Sequence, residues 1–165
     1  GFFCAQAALP SAASVLALDL DPSRLSIAER IGAIPVDVSA RNAQTAVDEH
    51  TQGRGADVVI EAVGTPAAFE RSVDIVRRGG TVVVMGVYTS EVVQAQIGVW
   101  WVRALQIRFA GTTPVHAWWK HAMAEVEAGR LDPLPIVSHR LPLDADAHGY
   151  GLFDTMQATK VLLTP

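Results

Sequence analysis

A chain of 165 residues, half of them hydrophobic, is long enough for one α/β domain with a substantial core. Its net charge of −4, with basic residues scattered, offers no patch for nucleic acid or an anionic membrane surface, and no apolar run approaches the ~20 residues of a membrane span. The single cysteine, Cys4, excludes an internal disulfide and a Cys-rich zinc site and fits a reducing, cytoplasmic setting.

Residues 1–9 (GFFCAQAAL) read as a helix that Pro10 brings to an end. No Met opens the chain and no signal peptide precedes this helix, so the expectation is a piece of a longer polypeptide. Residues 14–19 (SVLALD) form an apolar strand of the kind found in a sheet covered on both faces. Asp21 as N-cap and Pro22 at the first helical position open a helix over 22–32, with Gly32 as stop. A short strand at 34–38 and a polar helix at 42–51 follow. Residues 56–64 (ADVVIEAVG) are the next strand. Residues 66–80 are the next helix, closed by Gly79 and Gly80, with Arg77 and Arg78 complementing the dipole at its solvated end. Residues 81–87 (TVVVMGV) are another buried strand.

Buried strands alternating with helices of about a dozen residues are the sequence form of βαβ units and a parallel sheet. Right-handed crossovers then place helices on both faces. Residues 1–111 therefore read as an α/β, doubly wound parallel sheet lacking its first strand. From Thr112 the character changes: an amphipathic helix at 114–130, an extended Pro-punctuated stretch at 132–143, and a last segment at 158–165 that ends in a strand. No internal repeat or low-complexity segment interrupts the chain.

Asp19 ends an apolar strand, and an acid there is costly unless something binds it. In doubly wound sheets ligands sit beyond the carboxyl ends of the strands, and an acid about 20 residues past a glycine-rich turn accepts hydrogen bonds from a ribose. Gly1 stands eighteen positions before Asp19 and opens a helix, where the third glycine of such a turn would stand. The plainer alternative is a surface acid at the strand exit, with Asp21 doing the capping. Gly64 and Gly86 end the next two strands and would let a ligand approach the backbone closely. Against that, glycine commonly follows strands in α/β folds.

The segments GFFCAQAA, LALDLDPSRLSIAERIGA, GADVVIEAVGTPAAF, VRRGGTVVVMGV, GRLDP, SHRLPLDADAHGYGLFD and ATKVLL, in order, resemble the C-terminal half of zinc-dependent medium-chain alcohol dehydrogenases, including threonine and polyol dehydrogenase-like members. The resemblance implies a Rossmann-like coenzyme domain at 1–111 and an extension at 112–165 that returns to a catalytic domain. It implies that Gly1 is the last glycine of the phosphate-binding turn, that Asp19 binds the adenosine ribose, and that Arg24 flanks it. Ala62, Val63 and Gly64 would line the adenosine side. Met85, Gly86 and Val87 would run past the nicotinamide, Thr112 would contact its carboxamide, and Lys160 would reach the pyrophosphate. Asp19 suits two ribose hydroxyls and repels a 2′-phosphate, which favours NAD over NADP, although the Arg24 guanidinium could pair with a phosphate.

Family members hold a catalytic zinc, a Lewis acid on the alcohol oxygen while NAD accepts the hydride, on ligands from an N-terminal domain. Cys4 reads as a packing residue, so this chain is expected to bind the coenzyme, bind no metal and have no dehydrogenase activity by itself. His116 and His121 are five apart, off one helical face, and His50, His139 and His148 lie in separate segments. Trp100, Trp101, Trp118 and Trp119 would pack against the missing domain or lie near a substrate cleft. The resemblance further implies a small alcohol or carbonyl substrate and homo-oligomers that extend the sheet through a strand near Val92–Ile97. Two other readings stay open: a non-catalytic nucleotide-binding module, and a methyltransferase-like sheet using S-adenosylmethionine, which would need an antiparallel last hairpin.

Overall fold

The computed structural model describes residues 1–89 and 92–165. The chain opens with α1 (Phe2–Ala8), β1 (Leu16–Asp19), α2 (Pro22–Arg30), β2 (Ile34–Asp37) and α3 (Ala43–Thr51). It continues through β3 (Ala56–Glu61), α4 (Pro66–Ile75), β4 (Val76–Val84), α5 (Ile97–Val102) and β5 (Gln106–Phe109). The last third holds α6 (Val115–Glu127), β6 (His139–Pro142), α7 (Asp146–Asp154) and β7 (Val161–Thr164).

Every strand ladder among the described residues is parallel. β1 pairs with β2, while β3, β4 and β5 form a second ribbon with β4 in the middle. No ladder joins β1 to β3 among the described residues. The two ribbons are held instead by α3, whose Ala43 and Val47 pack with Ile75 against Leu16 and Leu18 of β1 and Ala56 and Val59 of β3. This is the α/β, doubly wound arrangement expected without its first strand. A second cluster, Phe69, Val73, Val76, Val82 and Val84, seals α4 against β4. Trp100 joins that cluster edge-on to Phe69, with ring centroids 5.8 Å apart, so it serves this chain's own core. Trp101, Trp118 and Trp119 stay exposed.

Helix starts follow the local chemistry. Asp21, Asn42 and Thr65 each accept a hydrogen bond from a backbone N–H of the first turn, and Pro22 and Pro66 supply the fixed φ at the first position.

The end of α4 differs from the sequence expectation. The helix stops at Ile75, and Val76-Arg77-Arg78-Gly79-Gly80 already belong to β4. Two contacts decide this. Val76 is buried and pairs with Ala56, and the Arg103 guanidinium satisfies the helix-end carbonyls of Val73 and Asp74, and that of Val76. No glycine cap is needed. Arg77 and Arg78 are therefore strand residues rather than a solvated helix end: Arg77 bonds Asp57, and Arg78 donates to the Val102 carbonyl. Arg103→Ala is expected to lower the thermal midpoint by about 4–8 °C, from loss of about 2 kcal/mol of charge-assisted bonds, and an unchanged midpoint would refute this capping role.

Asp57 sits between two guanidiniums, with Arg54 Nη1 at 2.6 Å, Arg54 Nη2 at 2.8 Å and Arg77 Nε at 2.6 Å. Hydrogen bonds from Arg54 first and Arg77 second hold its carboxyl far below the usual range. Because the folded carboxyl is the stronger acid, its contribution is present above about pH 4 and is lost as pH falls through the folded value. The site is exposed, so screening keeps the effect small. Asp57→Asn should lower the urea midpoint at pH 7, and by progressively less as pH falls below about 4; a loss that stays constant as pH falls would assign the effect to packing.

The last third also folds more tightly than an extended stretch would. β6, α7 and β7 form a closed βαβ unit, with His139 to Pro142 paired against Val161 to Thr164. Residues 92–96 take neither helix nor strand, in contrast to the strand expected near Val92–Ile97. A strand exists only with a hydrogen-bonded neighbour, and no ladder reaches this segment among the described residues.

Candidate functional site

Parallel pairing brings the strand ends of each ribbon together. Asp19 is in register with Asp37, and Glu61 with Val84, which is itself beside Phe109. The acids at 19, 37 and 61 each bind the turn that follows their strand.

Asp19 divides its carboxylate between two jobs. Oδ1 accepts the Leu20 and Asp21 amides at 2.8 and 3.0 Å, which fixes the turn. Oδ2 faces Arg24 Nη1 at 3.9 Å, on a side chain that is 35 % exposed. Arg24 Nε also lies 3.6 Å from Asp21 Oδ2, so the guanidinium sits between two carboxylates. Asp21 itself is the cap, as expected: the Ser23 hydroxyl and then the Ser23 amide hold its carboxyl below the usual range. Capping and an open acid at the strand exit thus coexist. Asp37 behaves like Asp21, its carboxyl lowered by the Ser39 hydroxyl and amide.

The loops after β3 and β4 form one body. Glu61 is only 2 % exposed. Its Oε1 accepts the Val63 amide at 2.7 Å and the Gly64 amide at 2.8 Å, and the Tyr88 hydroxyl lies 3.0 Å from its Oε2. The Glu61 main-chain carbonyl accepts the Met85 and Gly86 amides at 2.8 and 3.1 Å.

Gly64 and Gly86 are both required by this packing. A Cβ on Gly86 would lie 2.2 Å from the Gly64 nitrogen and 2.5 Å from Glu61 Oε2. A Cβ on Gly64, where φ is +89°, would meet the Val87 carbonyl at 2.5 Å. Each glycine thus makes room for the other loop, a packing requirement that stands whatever ligand the strand ends meet.

The outward faces of these loops are open. Ala62, Val63, Met85 and Val87 are all exposed. Cys4 Sγ lies 3.4 Å from Met85 Sδ, so the helix that Gly1 opens stands against the end of β4. Gly1, Ala62, Val63, Gly64, Met85, Gly86 and Val87 are thus gathered around two loops, while Asp19 and Arg24 form their own pair on the β1–β2 ribbon. Thr112 and Lys160 are exposed, and Lys160 immediately precedes β7, its carbonyl accepting the Ser138 and His139 amides. No hydrogen bond or ion pair links either side chain to the strand ends among the described residues.

Sequence reasoning passed over Glu61, Tyr88 and Asp37. The signal for Glu61 was present: an acid inside the apolar run ADVVIEAVG can be buried only if its oxygens are satisfied.

The zinc-binding dehydrogenase family model matches residues 1–128. The chain belongs to that family. It is 37% identical over 139 residues to a protein of Mycobacterium tuberculosis named a probable zinc-binding alcohol dehydrogenase, a match covering 84% of this chain and 35% of the relative. Among solved structures, an alcohol dehydrogenase from Thermus sp. ATN1 superposes with a TM-score of 0.90 at 37% identity, over 97% of this chain and 46% of that one. A Sinorhizobium meliloti 1021 protein solved with NADP bound superposes with a TM-score of 0.84 at 27% identity, over 99% of this chain and 49% of that one. The chain spans less than half the length of each. Among the described residues no three His, Cys, Asp or Glu side chains gather as a ligand set. No helix among the described residues is long and apolar enough to cross a membrane.

Proposed function

We propose that this chain is the coenzyme-binding portion of an NAD-dependent alcohol or polyol dehydrogenase, with residues 1–111 as the dinucleotide-binding fold and 112–165 as an extension returning to the catalytic part. The observation that carries the reading is Asp19. It stands at the carboxyl end of β1 with one oxygen committed to the turn and the other facing out beside Arg24. A carboxylate so held can accept from ribose hydroxyls without losing its own turn.

Bound NAD would supply the hydride acceptor for the alcohol carbon. Asp19 and Arg24 would hold the adenosine ribose, and Ala62, Val63 and Gly64 would line the adenosine side. Met85, Gly86, Val87 and Thr112 would serve the nicotinamide end. Gly1, at the start of α1, and Lys160 would face the pyrophosphate. NADP is bound by one relative, but here Arg24 is engaged by Asp19 and Asp21, which supports NAD. The substrate would be a small alcohol or carbonyl compound, the setting cytoplasmic, and the assembly a homo-oligomer joined through the sheet edge. A methyltransferase-like sheet needs an antiparallel last hairpin, and the described ladders are parallel.

Calorimetric titration of the chain with NAD, NADP and S-adenosylmethionine tests the proposal. Binding of NAD ahead of the other two is the expected result. Preference for S-adenosylmethionine, or a folded chain that binds none of the three, would overturn it.

A further inference from the structure

Glu61 is a buried carboxylate with no partner cation among the described residues, and an apolar residue would fill its site at lower cost. Something must compensate. What it binds is instructive: two amides of the loop after β3 on Oε1 and the hydroxyl of Tyr88, from the loop after β4, at Oε2. The Tyr88 hydroxyl also lies 3.2 Å from the Thr65 carbonyl, so its single proton is shared between Glu61 and the start of α4. The main chain of Glu61 holds the second loop again, through the Met85 and Gly86 amides. One residue therefore fastens both loops from beneath, while Val63 and Val87, 70 and 78 % exposed, remain on their outer side.

We propose that Glu61 is a positioning residue for the coenzyme: its buried carboxylate locks the loop 62–64 to the loop 85–88, so that the two halves of a dinucleotide meet one preformed surface. The ligand in this statement rests on the coenzyme reading above; the lock itself does not. A preformed surface removes the ordering cost that binding would otherwise carry. A dinucleotide spanning both loops gains from the lock, whereas a mononucleotide that touches one loop gains little.

The test uses the chain with Glu61→Ala, Glu61→Gln and Tyr88→Phe. Gln keeps an oxygen for the Val63 and Gly64 amides, and its NH₂ can donate to Tyr88, whose proton then goes to Thr65. Backbone amide exchange is followed without ligand at Val63 and Gly64, with the fully buried Val82 as reference. NAD and AMP are titrated in parallel. In Glu61→Ala, exchange at the loop amides should rise about tenfold more than at Val82, with Glu61→Gln within about threefold of wild type. The same variant should bind NAD about tenfold more weakly and AMP less than about threefold more weakly, with Gln restoring NAD binding. If Glu61→Ala does not fold, Tyr88→Phe, which removes a single hydroxyl, should still raise loop exchange above that of Val82.

Exchange that rises equally at Val82 and at the loops, or a Gln variant indistinguishable from Ala, would overturn the lock. Raised loop exchange with unchanged NAD affinity would overturn the positioning role. A wild-type chain that binds no nucleotide would refute the coenzyme reading instead, and the exchange comparison would still decide the lock.

Discussion

Asp19→Asn is expected to weaken NAD binding by about tenfold or more, since a hydrogen bond to a charged group contributes roughly 1.5–3 kcal/mol. The substitution is chosen for what it leaves intact. An Asn oxygen can still accept the Leu20 and Asp21 amides that Oδ1 now holds, so the turn into α2 survives. Only the outward oxygen is exchanged for an NH₂ group. Arg24, now placed 3.9 Å from that oxygen and 3.6 Å from Asp21, would lose one of its two counter-charges. A 2′-phosphate would then meet no carboxylate at position 19 and a guanidinium held by Asp21 alone, so NADP binding should tighten as NAD binding weakens. Calorimetric titration of both coenzymes reads the ratio directly. Adding Arg24→Ala to the variant should remove the gained NADP affinity. Unchanged NAD affinity in Asp19→Asn would mean that the acid serves the turn alone.

Gly86→Ala carries the largest expected loss of stability. Its new Cβ would stand 2.2 Å from the Gly64 nitrogen, 2.5 Å from Gly64 Cα and 2.5 Å from Glu61 Oε2. Two of those three atoms are backbone, and the third belongs to a side chain held by three hydrogen bonds. Nothing nearby can yield cheaply. The loops must separate, at a cost of about 3 kcal/mol or more, or about 6–12 °C in thermal midpoint for a chain of this size. Thermal unfolding followed by circular dichroism gives the number. A midpoint close to wild type would show that the two loops are less tightly seated than their backbone contacts state.

How much was legible beforehand follows from where the deciding contacts lie. Helix starts are local: Asp21, Asn42 and Thr65 act on residues two or three positions on, and each was readable as turn chemistry or lay within two residues of an expected boundary. The parallel sheet was equally readable, because alternating apolar strands and helices leave few ways to bury both faces. The end of α4 was not. Gly79 and Gly80 look like a helix stop, but the group that ends the helix is Arg103, which reaches Val76 from 27 positions away.

The site divides along the same line. Asp19 stood out because an acid closing an apolar run is conspicuous in one dimension, and Arg24 five positions on completes a pair across the turn into α2. Glu61 and Tyr88, also 27 positions apart, had no such local sign of partnership. Gly64 and Gly86 were singled out as strand-end glycines, but the reason for them was invisible until two loops could be placed against each other at close range.

The sequence by itself determined the order of elements as far as β4, the parallel sense of the sheet and the family, because these rest on periodicity, on turn residues and on short-range hydrogen bonds. Only the tertiary structure decided which carboxylate is buried, which arginine ends a helix, and what the paired glycines make room for. Each of those depends on the distance between atoms far apart along the chain, and close packing allows one arrangement of them where the pattern of residue types allows many.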